Sequence, residues 1–428
     1  MSESRVIPIA SETNDVELLK DEAGGLMQEL GVTTTTFFKG DFAGAASALR
    51  DRLALVVAAN PWLAGRIVKG EKAGSLVLRH STSPSSAEID DLFQATASTD
   101  ADPKAFKFSP SMPYLKMCTG MYKAKPPVAI GTGYSLVGKP VPVTLLSVVE
   151  SEPGNFALIF SMSHVVADGR TYYEIYKMLS PGGGGTAAIE IRSLDSKRIH
   201  DFPEKMRDAY NRKALEWADS VPAGLLFMTS LMCSSGTKCH AFHLDEEKVA
   251  AAKTKGAQDG GVEYVTTNDV LTSAFFNVTN CRIGWMGFDC RDKLEGFGRN
   301  LAGNYVTALV IDPEVYETPA SLRNMYKGYE TTKQKLPGCC CNPSNFGMVT
   351  NWSSFAGSLV SIEGCERLIH LPVLNPAYCV FDLMIPFATG MGEGKKGVIC
   401  WTTTADEDML RAALPVGETL SLELFPKK

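Results

Sequence analysis

The sequence predicts an α/β protein built from two domains. A chain of 428 residues is too long for one ordinary core, which points to two units of about 200 residues each. Its composition, 45% hydrophobic and 21% charged, is that of a globular protein. The stretch 156–179, FALIFSMSHVVADGRTYYEIYKML, passes from an apolar β-rich run through a polar turn into helical periodicity. Tyr172, Ile175, Tyr176 and Leu179 there fall at i, i+3, i+4 and i+7.

Taken in order, residues 15–30 read as a polar-faced helix or helix pair broken by Gly24 and Gly25, and 33–38 as a threonine-rich strand. Residues 43–59 read as a helix with Leu49, Leu53 and Val56 on one face. It stops at Asn60-Pro61, because proline disfavours helix in the residue before it. Residues 75–78 read as a strand, and 81–140, with several Pro, Ser and Gly clusters, as loop-rich. A strong strand at 143–149 and its neighbour at 156–161 are joined through Glu152-Pro153-Gly154-Asn155, a turn signal. Together they form a hairpin that delivers His164.

Pro181 and the four glycines after it read as a flexible connector, since they follow a helix instead of opening one. The charged, mixed stretch 186–220 is the candidate crossover linker, between an N-terminal domain at 1–185 and a C-terminal domain at 221–428. In the second half, 240–255 reads as strand then helix, ending in Lys253-Thr-Lys255. A helix over 267–277 is capped near Asn268. Strands are expected at 283–289, 306–311, 346–354 and 397–403.

The formal net charge of -6 argues against nucleic acid as the main partner, while leaving room for a local basic pocket that takes a phosphate-bearing cofactor. The N-terminus has no apolar run of signal-peptide length, and no window reaches a membrane span, so a cytoplasmic location is expected. The eleven cysteines then read as reduced thiols, and the sequons at Asn277 and Asn351 as unused. Adjacent Cys339, Cys340 and Cys341 do not suit a tetrahedral ion and lack the paired spacing of a zinc site. Cys233, Cys239, His240 and His243 have a looser metal-like spacing, and the cysteines there read as buried or surface thiols. No metal is expected. Nucleophile-elbow, Walker and paired dinucleotide motifs are absent. His164 remains the best framed catalytic candidate, at a strand-to-helix junction where site residues concentrate. Asp168 lies four residues on, and Gly169 suggests a special backbone conformation or a close approach.

Several segments together resemble the BAHD-type acyltransferases, within the acyl-CoA-dependent superfamily that also holds chloramphenicol acetyltransferase, carnitine acyltransferases and peptide-synthetase condensation domains. They are Asn60-Pro-Trp-Leu-Ala-Gly-Arg66, Ser163-His-Val-Val-Ala-Asp-Gly169, Thr267-Asn-Asp-Val-Leu-Thr272, Asp289-Cys-Arg291, Gly303-Asn304 and Thr350-Asn-Trp352, in family order over nearly the full length. The chain departs from the family in lacking its late Asp-Phe-Gly-Trp-Gly motif, which marks a divergent branch.

The resemblance implies two similar α/β domains, each a mixed sheet flanked by helices, with a tunnel between them. It implies an acyl-CoA co-substrate, no permanently bound cofactor, a small alcohol or amine acceptor and a monomeric enzyme. His164 is then the general base, for which a neutral imidazole is suited. Asp168 turns away and pairs with Arg291. Trp352 and Thr350 help the oxyanion, as donor groups can, although Trp352 also reads as a core aromatic. Lys253 and Lys255 lie near the coenzyme A phosphates, or else form a solvated helix end. Ser163, where condensation domains usually carry a first histidine, favours free coenzyme A as carrier. Two alternatives stay open: a carrier-protein-dependent condensing enzyme of the same fold, and a non-catalytic small-molecule-binding protein.

Overall fold

The structure is a computed structural model. It describes residues 12–29, 31–100, 102, 104–108, 112–181, 188–225, 228, 237–329, 333–337, 346–376 and 381–420. Residues 182–185 of the glycine run, Cys233 and the Cys339 to Cys341 run lie outside these.

Fifteen strands are formed among the described residues: β1 (Thr13–Glu17), β2 (Gly31–Lys39), β3 (Arg66–Lys69), β4 (Leu76–Ser81), β5 (Phe93–Thr96), β6 (Thr144–Glu152), β7 (Asn155–Ser163), β8 (Lys238–Leu244), β9 (Ile283–Asp289), β10 (Val306–Ile311), β11 (Phe346–Val349), β12 (Glu366–Pro372), β13 (Asp382–Ala388), β14 (Lys396–Thr402) and β15 (Val416–Thr419). They make two large mixed sheets. The first runs β12-β2-β7-β6-β5 and the second β10-β9-β11-β13-β14-β8-β15, with a small sheet β1-β4-β3 beside them. Within the first, β5 lies parallel to β6; within the second, β11 lies parallel to both β9 and β13. The two-sheet α/β architecture expected from the sequence is the one observed.

One strand crosses the expected division. β12 comes from the C-terminal half but pairs with β2 over Glu366↔Lys39 to Pro372↔Thr34. The main hydrophobic core spans both halves as well, joining Phe37, Phe160 and Tyr176 to Ile385, Phe387 and Trp401.

The predicted hairpin is β6–β7, in antiparallel register from Thr144↔Met162 to Glu150↔Phe156. The helix that follows, Gly169–Met178, buries Tyr172, Ile175 and Tyr176 as its periodicity requires. Its buried tyrosine hydroxyls explain the threonines of β2. A phenol taken out of water needs a partner: Tyr172 Oη meets Thr34 Oγ1 at 2.7 Å and Tyr176 Oη meets Thr36 Oγ1 at 2.5 Å. His370 on β12 joins this network, its Nδ1 2.7 Å from Thr36 Oγ1 and its Nε2 3.0 Å from Tyr173 Oη.

Elsewhere tertiary contacts override local expectation. In the 15–30 stretch only Leu26–Glu29 is helical, and its beginning belongs to β1, paired to β4. The buried Glu22 carboxylate there is claimed by Arg198, at 2.7 Å. The loop-rich stretch holds a helix, Tyr114–Lys123, burying Tyr114, Met117, Cys118 and Met121. The crossover stretch holds two, Arg198–Ala209 and Arg212–Ala218. The helix Thr267–Val278 is capped by Thr266, in a capping box with Asp269, because a side-chain oxygen three residues ahead reaches the free N–H. Asn268 instead accepts from Asn351 at 3.0 Å. β12, β13 and β15 were not foreseen.

His370 gives this fold a pH signature. Burial, and then the charge of Arg367, lower its pKa to about 3, against about 6.5 for an exposed imidazole. Below pH ~6.5 the unfolded chain takes up a proton that the folded chain refuses until about pH 3, so stability falls as pH falls through that window. We expect the fall in Tm between pH 7 and pH 4 to be smaller in His370→Gln than in wild type, measured by calorimetry. Equal slopes would mean that His370 is protonated in the folded state.

Candidate active site

β7 ends at Ser163, the chain turns through residues 164–168, and a helix begins at Gly169. Val165, Val166 and Ala167 are buried in the core, which anchors the turn, while His164 stays half-buried. His164 faces a half-open cavity of about 600 Å³ between the two large sheets. The apolar wall includes Val32, Trp285, Met348, Leu374, Leu383 and Ile385.

Asp168 caps the helix, its Oδ1 accepting from Thr171 N at 2.9 Å. The same carboxylate accepts from Arg291 Nη1 at 2.7 Å and Nη2 at 3.3 Å, and from Tyr305 N at 3.1 Å. Burial alone would push this carboxyl up, but the Arg291 charge, its hydrogen bonds and the two backbone N–H donors overcome that and hold its pKa below the usual carboxylate range. Arg291 spends its remaining donors on Leu301 O, Gly303 O and Thr171 Oγ1, all at 2.9 Å, and on Asp289 Oδ1 at 3.0 Å. Asp168 is thus saturated, and His164 takes its hydrogen bond from elsewhere.

That partner is Asn304. Its Oδ1 lies 3.0 Å from His164 Nδ1, and its Nδ2 donates to the His164 carbonyl at 2.8 Å. With Nδ2 committed as donor, Oδ1 can only accept, so Nδ1 carries the proton and Nε2 keeps its lone pair. A base with a fixed, available lone pair can take a proton from an O–H or N–H in the cavity.

β11 continues toward the cavity as an extension held along β13, with Thr350 N donating to Met384 O at 3.1 Å and Trp352 N to Pro386 O at 2.8 Å. The two-residue period of extended chain brings Thr350 and Trp352 to the same wall as His164. The indole N–H of Trp352 donates to Thr350 Oγ1 at 3.1 Å. The Thr350 hydroxyl, having accepted, is left with its own O–H to donate. Trp352 also packs edge-on to Tyr173, centroids 6.0 Å apart. Trp352 is thus a packed aromatic whose indole N–H is spent on Thr350.

The glycines change places in importance. Gly169 is an ordinary first residue of a helix, and a Cβ there would stand 3.8 Å from Trp352 Nε1, a normal contact. The special backbone suggested for it belongs to Gly303, which has φ +114° and where a Cβ would meet Arg198 Nη1 at 2.6 Å. Lys253 and Lys255 sit on the helix Glu246–Asp259, outside the cavity wall. Sequence reasoning picked out Gly303-Asn304 as a motif without a role for Asn304, and it missed Glu22 and Arg198, whose pairing across 176 positions leaves no local trace.

No protein-family model matches the chain, and no curated protein matches it significantly. Solved structures do, over nearly all of it. TRI101 of F. graminearum, complexed with coenzyme A and T-2 mycotoxin, is 17% identical, with a TM-score of 0.58 over 93% of this chain and 97% of the other. The chain has the fold of that protein and of condensation domains. The first condensation domain of the calcium-dependent antibiotic synthetase, in complex with a substrate analogue, is 12% identical, with a TM-score of 0.55 over 89% and 88%. Polyketide synthase associated protein 5 from Mycobacterium tuberculosis is 11% identical, with a TM-score of 0.55 over 94% and 97%.

Breaking the buried pair should show in stability. Asp168→Asn leaves Arg291 charged in the interior, at a cost on the order of 3–5 kcal/mol. The wild-type carboxylate, its pKa lowered on folding, contributes stability that is present above the unfolded value near 3.9 and lost as pH falls through the folded value. We expect the Tm gap between wild type and Asp168→Asn to be several degrees at pH 7 and to narrow below about pH 4. A gap independent of pH would show that the carboxylate charge is not what holds Arg291.

Proposed function

We propose that this chain is an acyltransferase that moves an acyl group from an acyl-CoA thioester to a hydroxyl or amine of a small molecule. The observation that carries the reading is His164 with Nδ1 held by Asn304 and Nε2 left free at the cavity. The coenzyme A held by a structural neighbour of the same fold supports the choice of donor, as does Ser163, which is buried and cannot serve as a second histidine.

In this mechanism His164 Nε2 removes the proton from the acceptor as its oxygen or nitrogen attacks the thioester carbon. The carbonyl oxygen becomes an oxyanion, which accepts from the Thr350 hydroxyl. The carbon–sulfur bond then breaks, and the imidazolium returns its proton to the departing thiolate. Asp168 and Arg291 hold the turn and touch no reacting atom. The apolar wall suits an acceptor or acyl chain with a hydrocarbon body, since polar groups there would lose water without gaining partners. Lys253 and Lys255 are proposed for the coenzyme A phosphates, which stay outside such a cavity.

Thiol release from a panel of acyl-CoAs, with pooled alcohols and amines, tests the reading. His164→Ala should lower kcat by about 10²–10⁴ while leaving Tm within a few degrees. Thr350→Val should lower kcat by about 10²–10³ with little change in KM. Acyl transfer undiminished in His164→Ala would overturn the mechanism. Turnover only with acylated carrier protein would favour a condensing enzyme of the same fold.

A further inference from the structure

The tautomer of His164 depends on which way the Asn304 amide faces, and an amide can face either way unless its neighbours forbid one. Behind Asn304 lies Glu22, with no solvent exposure. Its Oε1 accepts from Asn304 Nδ2 at 2.9 Å and from Arg198 Nη1 at 2.7 Å. Its Oε2 accepts from Arg198 Nη2 and from Leu19 N, both at 2.7 Å. We propose that the buried Glu22–Arg198 ion pair is a positioning device for the catalytic base, fixing the tautomer of His164 through Asn304. This rests on the reading of His164 as the base.

The argument is one of polarity. A guanidinium only donates and an ionised carboxylate only accepts. Arg198 donates to both Glu22 oxygens and Leu19 N to one of them, so the oxygen that Glu22 turns to Asn304 is an acceptor. The amide must turn its NH₂ group to Glu22 and its oxygen to the histidine. The oxygen in turn requires a proton on Nδ1. Direction is thus imposed at the charged end and handed along to the imidazole. A neutral amide or hydroxyl at position 22 could hydrogen-bond equally well and impose nothing.

Two of the three segments are held in register independently of the pair. Ser193 N donates to Asn300 O at 3.1 Å and Ala302 N to Ser193 O at 2.7 Å, which lays the crossover segment beside the Gly303–Asn304 turn. Gly303 has no side chain where Arg198 passes. Removing the charges should therefore leave the backbone in place and the amide held by the His164 carbonyl alone, one acceptor in place of two.

The test reads the tautomer directly, without substrate, by NMR of the protein with ¹⁵N-labelled histidine at a pH above the imidazole titration. Wild type should show His164 as the Nδ1–H form alone. Taking one member of a buried ion pair away can unfold a chain, so Glu22→Gln is paired with the double variant Glu22→Met/Arg198→Met, an apolar exchange that buried ion pairs often tolerate. In whichever variant is folded, His164 should become a mixture of tautomers, and kcat should fall at least tenfold with KM for acyl-CoA unchanged. A wild-type spectrum with the proton on Nε2 would overturn the proposal, whatever the variants do. So would a folded variant with a pure Nδ1–H tautomer and full kcat. Because the spectrum needs no reaction, a wrong assignment of the reaction and a wrong role for Glu22 give different results.

Discussion

Two buried guanidiniums converge on Gly303, Asn304 and Tyr305, and the site depends on that meeting. Arg291 hydrogen-bonds the Gly303 carbonyl, Arg198 passes where a side chain at 303 would be, and the Tyr305 ring lies 4.8 Å from one guanidinium carbon and 5.8 Å from the other. Arg291 is matched by Asp168 and Asp289, and Arg198 by Glu22. Charges this deeply buried tolerate little displacement, since an unpaired one is very costly. The long connection between β9 and β10, residues 290–305, is thereby pinned against the turn after β7, and the histidine is set by what pins it.

This separates holding from reacting. The aspartate beside the histidine in sequence faces away from it and works through Arg291, while the residue that meets the imidazole is an amide from the other half of the chain. An amide gives the imidazole a hydrogen bond without setting a charge beside it. Elsewhere on the cavity wall the same economy recurs, with Trp352 spending its donor on Thr350.

How much of this could be read beforehand depends on whether the signal was local. The β6–β7 hairpin, the helix after it and the His164 turn were legible because period two, a turn sequence and period 3.6 follow one another within a few dozen residues. The partnership of Asp168 with Arg291 and the positions of Thr350 and Trp352 came with the family resemblance. The helix Tyr114–Lys123 carried a readable spacing of Tyr114, Met117, Cys118 and Met121, hidden among prolines and glycines. β1 was misread as helix because its pairing with β4 and the claim of Arg198 on Glu22 are made by distant residues. Nothing near position 22 announces position 198, and nothing near Asn304 says that its amide will face a histidine.

β12 carries a consequence of another kind. Its main chain completes the first sheet from the far end of the sequence, so the two halves are sewn together by a row of peptide hydrogen bonds as well as by side-chain packing. Separating the halves at β12 would break that row of bonds, so the two sheets that flank His164 are tied together by main chain, whatever the side chains between them do.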